Sequence, residues 1–238
     1  MTELLFLDEP TRRVAAATVL AATSGHITLD QTIFYARSGG QPGDIGVLRW
    51  DGGRCAIVDT IKGDAGAVLH VPAPGADLPP VGATIEAEID WDRRYRLMRM
   101  HTAMHLLCSL IKGAAVTGGS VGLDRSRLDF DLPLPPPKEE LEAGLNALIA
   151  ADLPVRFEWV DEARLDTDPA LVRTMSVQPP RGTGRVRLMR IGTDENLVDL
   201  QPCGGTHVSR TGEIGPMRIV KIENKGRQNR RIILAPAD

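Results

Sequence analysis

Two short motifs, far apart in the chain, constrain the fold more than any other feature of this sequence. They are His101-Thr-Ala-Met-His105 and Cys203-Gly-Gly-Thr-His207, and together they use three of the five histidines and one of the three cysteines. On a helix, histidines four residues apart lie on one face, one turn apart, where both can reach a single ion. The second motif adds a thiolate and an imidazole, and Zn2+ suits such a mixed sulfur and nitrogen set. The sequence therefore predicts a fold that brings both motifs together around Zn2+.

The residues beside these ligands exclude two common zinc chemistries. A metalloprotease helix carries Glu directly after its first His as the general base, and here that position is Thr102. Nucleobase deaminases need His-x-Glu and Pro-Cys-x-x-Cys, whereas this chain has His-Thr-Ala and Pro-Cys-Gly-Gly-Thr. Neither peptide hydrolysis nor deamination by those routes is expected.

Length, charge and cysteine content set broader limits. With 238 residues the chain can form one large domain or two modest ones with substantial cores. A net charge of -3 gives no general attraction for nucleic acid, so a polyanionic partner would need a local basic patch. Three unevenly spaced cysteines form no disulfide framework, which indicates a reducing compartment. We find no signal peptide and no apolar stretch of membrane-spanning length, and we expect a cytoplasmic protein without a membrane partner.

The pattern of apolar residues divides the chain into two predicted domains. Short β-prone runs broken by Gly, Asp and Pro predict strands at 13–21, 26–29, 45–50, 55–61, 67–71 and 84–89. Beyond them, helical spacing and capping signals predict helices at 92–112 and 138–152, followed by strands at 185–191, 196–201, 217–223 and 229–234. We expect an α+β protein with a small β-barrel-like domain at 1–89 and an α+β metal-binding domain, with a mainly antiparallel sheet, at 90–238.

A glycine-rich stretch, Ser38-Gly39-Gly40-Gln41-Pro42-Gly43, lies in the first predicted domain. It is neither a dinucleotide fingerprint nor a phosphate loop, because no helix pattern follows it and no Gly-Lys-Ser/Thr is present. Two interpretations stay open. The stretch is either a tight connection between strands or a backbone surface that approaches a substrate closely.

Two basic clusters flank the metal motifs. One comprises Arg93, Arg94, Arg96 and Arg99 at the start of the first predicted helix, and the other comprises Lys221, Lys225, Arg227, Arg230 and Arg231. A charged, solvated edge strand explains the second cluster as well as an RNA contact does. Two basic clusters beside a metal motif modestly favour a nucleic-acid partner.

These residues resemble a known family, the AlaX-type alanyl-tRNA editing proteins, which are related to the editing domain of alanyl-tRNA synthetase. The resemblance rests on both metal motifs, the Ser-Gly-Gly-Gln-Pro stretch, Arg127-Leu128-Asp129-Phe130 and the segment Gly226-Arg-Gln-Asn-Arg-Arg231, and it covers essentially the whole chain. It implies that His101, His105, Cys203 and His207 bind one zinc ion, and that residues 38–46 are the glycine-rich motif of the longer AlaX form. It also implies hydrolysis of the ester joining serine or glycine to alanine tRNA. Ligation of alanine is not expected, because no ATP-binding motif is recognisable.

Further site residues are expected. The resemblance implies substrate binding at Ser38, Gly39, Gly40, Gln41, Gly43, Thr117 and Gly118, and the two basic clusters suggest tRNA binding at Arg93, Arg94, Lys225, Arg227, Arg230 and Arg231.

The role of the metal stays open at this point. Four protein ligands are typical of a structural zinc site, whereas catalytic zinc usually keeps a position for water. In one version the zinc activates water. In the other it holds the pocket or binds the substrate amine, and Thr102, Thr206 or the terminal hydroxyl of the tRNA positions the water. A zinc-stabilised RNA-binding module without catalysis and a metallohydrolase of small esters or amides are the alternative functions.

Overall fold

The structure is a computed structural model that describes residues 2–174, 182 and 184–237. The strands are β1 (Glu3–Leu4), β2 (Val14–Ala22), β3 (Ile27–Leu29), β4 (Gln31–Thr32), β5 (Gly46–Trp50), β6 (Gly53–Lys62), β7 (Val68–Pro72), β8 (Thr84–Ile89), β9 (Ala115–Ser120), β10 (Ser126–Asp131), β11 (Val155–Asp161), β12 (Arg185–Gly192), β13 (Leu197–Pro202), β14 (Met217–Asn224) and β15 (Asn229–Pro236). The helices are α1 (Trp91–Leu110), α2 (Lys138–Ala150) and α3 (Arg164–Thr167).

Six strands close into an antiparallel barrel in the order β2-β3-β7-β6-β5-β8. They are the six strands that the sequence predicts between residues 13 and 89, and each is confirmed to within two residues at either end. The barrel interior follows the period of two that strands impose. In β8, for example, Ile85, Ala87 and Ile89 are buried in the barrel core, whereas Glu86 is exposed and Glu88 half-exposed.

The chain divides into two compact units, Met1–Arg96 and Leu97–Asp238. The division falls within α1, whereas the sequence placed a boundary before this helix, near Asp90. A physical reason lies in the first unit itself, where Arg94 in the first turn of α1 forms a buried ion pair with Asp44. The first turn of the helix thus belongs to the unit that contains the barrel.

The second unit mixes helices with two antiparallel sheets. A four-stranded sheet has the order β14-β15-β10-β9, and a three-stranded sheet has the order β11-β12-β13. The predicted helices α1 and α2 and the predicted strands β12 to β15 are confirmed. Strands β9, β10 and β11 were not predicted, and they are the reason that two sheets form where one was expected. In the described part of the chain, no helix is long and apolar enough to cross a membrane.

Helix α1 is buried on nearly all sides in the second unit. From Leu97 to Cys108 every side chain is buried except Arg99 and His105, which are half-buried. A helix covered in this way is a core element rather than an amphipathic surface helix. Its side chains are therefore held in fixed positions, which suits residues that must meet others from a distant part of the chain.

A histidine in the barrel interior has the hydrogen bonds of a neutral imidazole. His70 Nδ1 lies 3.1 Å from the Ile27 carbonyl, which can only accept, so Nδ1 carries the proton. Nε2 then accepts from the Thr32 hydroxyl at 2.8 Å, and the same hydroxyl accepts from the Phe34 backbone N–H. Burial lowers the pKa of His70 to about 4, against the smaller opposing effect of the Ile27 carbonyl.

This burial predicts a pH dependence of stability. The pKa of His70 is about 4 in the folded state and about 6.5 in an unfolded chain, so protons favour the unfolded state between these values. The contribution of His70 is complete above pH 6.5 and falls by about 3 kcal/mol as pH drops to 4, at about 1.4 kcal/mol per unit. His70→Gln should flatten this part of the pH dependence in urea unfolding, whereas His26→Gln, in the β2–β3 turn, should not. Equal pH slopes in wild type and His70→Gln would contradict the assignment.

Candidate metal centre

Two elements of the second unit supply the predicted ligands. Helix α1 carries His101 and His105, and the loop after β13 carries Cys203 and His207. The ring centroids are 5.3 Å apart for His101 and His105, 4.2 Å for His101 and His207, and 5.0 Å for His105 and His207. One potential ligand atom from each of the four residues lies within 4.8 Å of all the others. The structure thus brings together the four residues that the sequence proposed.

The spacing of the ligand atoms fits a zinc ion. Cys203 Sγ lies 3.7 Å from His101 Nε2 and 3.3 Å from His207 Nε2. In a tetrahedral site with Zn–S of about 2.3 Å and Zn–N of about 2.0 Å, sulfur and nitrogen ligands are about 3.5 Å apart. One thiolate with three imidazoles is also a donor set that Zn2+ accepts. The two sulfur–nitrogen distances therefore match a tetrahedral zinc site to within about 0.2 Å.

A buried carboxylate orients His105. Asp199, on β13, is 5% exposed, and its Oδ2 lies 2.8 Å from His105 Nδ1. Because the carboxylate only accepts, Nδ1 must donate, which leaves Nε2 for a metal. The other carboxylate oxygen, Oδ1, accepts from the Gln201 side-chain amide at 2.7 Å. This is the carboxylate–histidine arrangement that fixes the tautomer of metal-binding histidines.

A threonine hydroxyl orients His207 in the same way. Thr102 Oγ1 donates to the Met98 carbonyl at 2.9 Å and accepts from the Val208 backbone N–H at 3.3 Å. Its remaining contact is with His207 Nδ1 at 3.1 Å, which must donate because the single hydroxyl proton is already used. The hydroxyl of Thr102 is therefore fully occupied within the protein, and this geometry favours positioning of His207 over the water-positioning role considered for Thr102.

The loop that carries the cysteine is held by a buried arginine. Arg187, on β12, donates through one nitrogen to the carbonyls of Cys203 and Gly205 at 2.9 and 3.0 Å. Its guanidinium lies over the Phe157 ring, 3.5 Å from the centroid, and the same ring is 6.0 Å from that of His207. Cys203 also donates its backbone N–H to the Arg187 carbonyl. The Cys-Gly-Gly-Thr-His loop is thus fixed from the neighbouring strand.

The charges of the four ligands are strongly coupled. Burial opposes ionisation of Cys203, but His101 and His207 hold its pKa well below the usual thiol value. Burial opposes protonation of His105, yet Asp199 and Cys203 together raise its pKa to about 10. Burial and the neighbouring His101 lower the pKa of His207 to about 3. His207 is therefore neutral at neutral pH, whereas His105 carries a proton on Nε2 that a metal ion would have to displace.

One side of the centre is accessible. His101 and His207 are buried, whereas His105 and Cys203 are half-buried. The adjacent Gly204 is exposed, and a Cβ added there would meet no heavy atom within 4 Å. A small ligand could therefore approach from the side of His105 and Cys203, which a sealed structural site would not allow.

The glycine-rich stretch forms a tight turn in the first unit. Ser38 and Gln41 exchange two backbone hydrogen bonds, and the central Gly39 and Gly40 have φ of +56° and +82°. Positive φ at both central positions is the geometry of a type I′ turn, which favours glycine. At Gly43, a Cβ would overlap the Thr60 carbonyl. The turn fits the interpretation as a strand connection, and substrate binding at Ser38, Gly39, Gly40, Gln41 and Gly43 stays a prediction.

Arg94 has a structural role instead of the predicted tRNA contact. Its side chain is 0% exposed and is paired with the Asp44 carboxylate. It also donates to the carbonyls of Pro10 and Ile33. Asp44 in turn accepts from the Tyr35 backbone N–H at 2.7 Å, so the pair closes the chain around the glycine-rich turn. No atom of this guanidinium is available to a phosphate.

The other predicted tRNA contacts differ in how far they are already engaged. Arg231 donates to both oxygens of Asp129, and Lys225 pairs with Glu223 at 2.9 Å. Arg230 donates to the carbonyls of Gly226 and Asn229, and Arg93 donates to that of Gly43. Arg227 is exposed. Binding of tRNA at Arg93, Lys225, Arg227, Arg230 and Arg231 stays a prediction.

Three remaining predicted residues lie in the second unit. Thr117 is the extra residue of a β-bulge in β9, and its hydroxyl donates to the Asn229 side-chain oxygen at 3.4 Å. Gly118 is paired with Asp129 in the next strand. Thr206 is 0% exposed, beside the ligand His207. Bulges often occur near active sites, where they redirect a side chain. The substrate and catalytic roles of these three residues stay predictions.

The sequence analysis missed the residues that hold the ligands in place. Asp199 and Gln201 alternate along β13, Cys203 follows directly after the end of that strand, and Arg187 lies on the neighbouring strand β12. Part of this could have been found in the sequence. Asp199 and Gln201 precede Cys203 at every second position, and this period places their side chains on the same face of a strand. The partner of each residue was not predictable, since it depends on the register between strands.

The role of Asp199 can be measured as zinc affinity. Asp199→Asn keeps the shape but removes the charge that orients His105 and raises its basicity, so we expect zinc affinity to fall about 10- to 100-fold. Competition with a chromophoric chelator would measure this change. Asp194→Asn is the matched control, because Asp194 is 96% exposed on the same hairpin. Equal affinities for both variants would show that Asp199 does not support the centre.

The role of Arg94 can be measured as stability. Arg94→Met leaves the buried Asp44 carboxylate without its charge partner, so we expect a loss of about 3–5 kcal/mol in the free energy of unfolding. Arg227→Met, at an exposed position, should change it by less than about 0.5 kcal/mol. Chemical denaturation of both variants makes the comparison. If Arg94→Met keeps wild-type stability but binds tRNA more weakly, the structural role would be wrong and the predicted tRNA contact of Arg94 would be supported.

Comparison with known proteins gives two family matches and full-length relatives. The profile described as "Threonyl and Alanyl tRNA synthetase second additional domain" matches residues 186–233, and that of "tRNA synthetases class II (A)" matches residues 6–93. An alanine–tRNA ligase of Pyrobaculum arsenaticum is 38% identical over 93% of this chain, which spans only 25% of the ligase. The alanyl-tRNA editing proteins AlaX-M of Methanosarcina mazei and Methanosarcina acetivorans are 37% and 36% identical to this chain over its whole length. The alignments cover 98% and 100% of those two proteins. This chain therefore belongs to the AlaX-M family of alanyl-tRNA editing proteins.

Proposed function

We propose that this protein is a zinc-dependent hydrolase that removes serine or glycine from mischarged alanine tRNA, acting in trans. The observation that carries the proposal is the cluster of one cysteine and three histidines, which is accessible on one side. The full-length similarity to AlaX-M editing proteins supplies the substrate class. The cytoplasmic location expected from the sequence stays a prediction.

A physical limit on substrate selection explains the need for this activity. A pocket built for the methyl group of alanine cannot exclude the smaller glycine, and it rejects serine by only about 100-fold. Accurate translation needs the correct amino acid to be preferred by a factor of roughly 10⁴ to 10⁵, so a second hydrolytic step must supply the missing discrimination. The second site must spare alanine. A polar group that hydrogen-bonds the serine hydroxyl would do so, because an alanyl ester would leave that buried group unpaired.

The residues of the centre divide into two roles. His101, His105, Cys203 and His207 would hold the ion, and Asp199 and Thr102 keep the Nε2 atoms of His105 and His207 directed at it. When bound, zinc supplies a Lewis acid that can polarise the ester carbonyl or lower the pKa of water. The half-buried side of His105 and Cys203 admits the aminoacyl end of the tRNA. Thr206 stays a candidate for positioning the attacking water.

Recognition of the amino acid is proposed at Thr117 and Gly118 in the second unit, and the substrate role expected for residues 38–43 of the first unit stays a separate proposal. Thr117 combines two properties that such a role needs, a hydroxyl and a place on a β-bulge. Its contact with Asn229 is long, at 3.4 Å, so exchange for a substrate hydroxyl would cost little.

The test is release of serine, glycine and alanine from separately charged alanine tRNA. We expect wild type to release serine or glycine and to spare alanine. Cys203→Ala should lower the rate by more than about 100-fold, because loss of an outer-shell partner alone costs up to 100-fold. Cys55→Ala is the matched control, since Cys55 is a buried cysteine of the barrel core. Bound zinc is measured in both variants.

Other outcomes would overturn the proposal. No release from any charged tRNA, together with tRNA binding and loss of structure on chelation, would indicate a zinc-stabilised RNA-binding module. Rapid hydrolysis of free amino-acid esters, with rates insensitive to salt, would indicate a small-ester metallohydrolase. Activity on tRNA should weaken as salt screens phosphate contacts. A full zinc content in Cys203→Ala would refute the ligand assignment.

A further inference from the structure

We propose that Trp159, with Arg185 beside it, binds the 3′-terminal nucleobase of the tRNA by stacking. The proposal rests on the proposed function, because it concerns the same substrate and the same centre. It arises from an exposed aromatic residue on the strand face that also carries the residues supporting the metal ligands. The sequence analysis assigned no role to this residue.

Strand register places Trp159 in a row with the metal ligand Cys203. Trp159 on β11 is paired with Arg187 on β12. On the other side of Arg187, the backbone N–H of Cys203 donates to the Arg187 carbonyl at 3.1 Å. Neighbouring strands are about 4.8 Å apart, so the backbone of Trp159 lies roughly 10 Å from that of Cys203. When the ester of a charged tRNA lies at the centre, the terminal nucleoside of that tRNA is therefore close to Trp159.

The exposure of the aromatic side chains on β11 increases from Phe157, beside the metal centre, to Trp159. Phe157 is paired with Met189, and Trp159 with Arg187, so both aromatic rings are on the face that holds Asp199 and Gln201. Phe157 is half-buried and contacts the ring of His207. Trp159 is 40% exposed, so a large part of its aromatic side chain faces the solvent. One aromatic ring of this face therefore lies beside the centre and the other lies at the solvent, with the Arg187 guanidinium over the first ring.

Positive charge accompanies the exposed ring. The guanidinium of Arg185 lies over the Trp159 ring, 5.3 Å from its centroid, and Arg185 is exposed. A cation over an indole is a favourable contact in itself. It also places positive charge where a nucleotide would bring its phosphate. An aromatic ring next to arginine is the combination with which proteins bind single-stranded nucleic acid.

The chemistry favours a nucleobase over a protein partner. Single-stranded RNA ends present unstacked bases, and proteins recognise them by stacking on aromatic rings and guanidinium planes. A protein partner would need a contiguous apolar patch, whereas the exposed ring here is bordered by Arg185 and by the charged Asp161, which is paired with it. Trp159 and Arg185 are therefore suited to bind the last base of a tRNA whose ester lies at the metal centre.

The first test separates binding from catalysis. Deacylation of seryl-tRNA(Ala) is measured under steady-state conditions for wild type, Trp159→Ala, Trp159→Phe and Leu197→Ala. Loss of one base–aromatic stack should raise KM about 10-fold or more in Trp159→Ala, with kcat little changed and zinc content intact. Trp159→Phe should recover most of the affinity. Leu197→Ala, another exposed apolar residue on the same sheet, should behave as wild type.

The second test requires no hydrolysis, so it keeps this proposal distinguishable from the proposed function. The trinucleotide CCA should quench the tryptophan fluorescence of wild type but not of Trp159→Phe, and a trinucleotide with an abasic 3′ end should quench neither. Quenching with no deacylation by wild type would sink the proposed function and leave the stacking site in place. Normal deacylation with an unchanged KM in Trp159→Ala, or quenching by the abasic trinucleotide, would overturn the stacking site.

Discussion

Burial of polar ligands is the constraint on which this structure depends. A thiol and three imidazoles inside a small α/β unit lose contact with water, and such groups are stable only when each has a partner. The structure meets this requirement with Asp199 for His105, Thr102 for His207, and Arg187 for the loop that carries Cys203. The same hydrogen bonds fix the tautomers of two imidazoles. The network that makes burial tolerable is therefore also the network that orients the rings of His105 and His207 within the cluster.

The same principle applies in the first unit, with a different result. The Arg94–Asp44 pair is fully buried, and each partner has further hydrogen bonds, among them those to the Ile33 carbonyl and from the Tyr35 backbone N–H. A pair of this kind adds little net stability, but loss of one partner is costly. Its effect here is to fix the first turn of α1 to the segment that carries the glycine-rich turn. Arg94, which was predicted from the sequence to contact tRNA at the surface, is instead buried in the first unit.

Much of the fold and the four residues of the Cys/His cluster could be predicted from local patterns, and the rest depended on pairing between strands. Several barrel strands alternate between buried and exposed residues, most clearly β8, and both long helices have apolar residues at helical spacing. Strand β9 contains Gly118 and Gly119, which weaken any strand pattern, and β10 carries three charged residues among six. Strand β11 alternates well and could have been predicted. Asp199, Thr102 and Arg94 could not be assigned, because their roles depend on residues up to about a hundred positions away.

The separation of the two ligand motifs along the chain also affects how the protein matures. Cys203 follows His105 by 98 residues, so a nascent chain that has just completed α1 contains only His101 and His105 of the four residues in the cluster. At ribosomal rates of about 5–20 residues per second, the second motif appears roughly 5–20 seconds later. A pair of histidines alone competes poorly for zinc against complete sites elsewhere in a cell. Binding of zinc at the proposed centre would therefore be a late event that follows the docking of the β13 loop onto the helix.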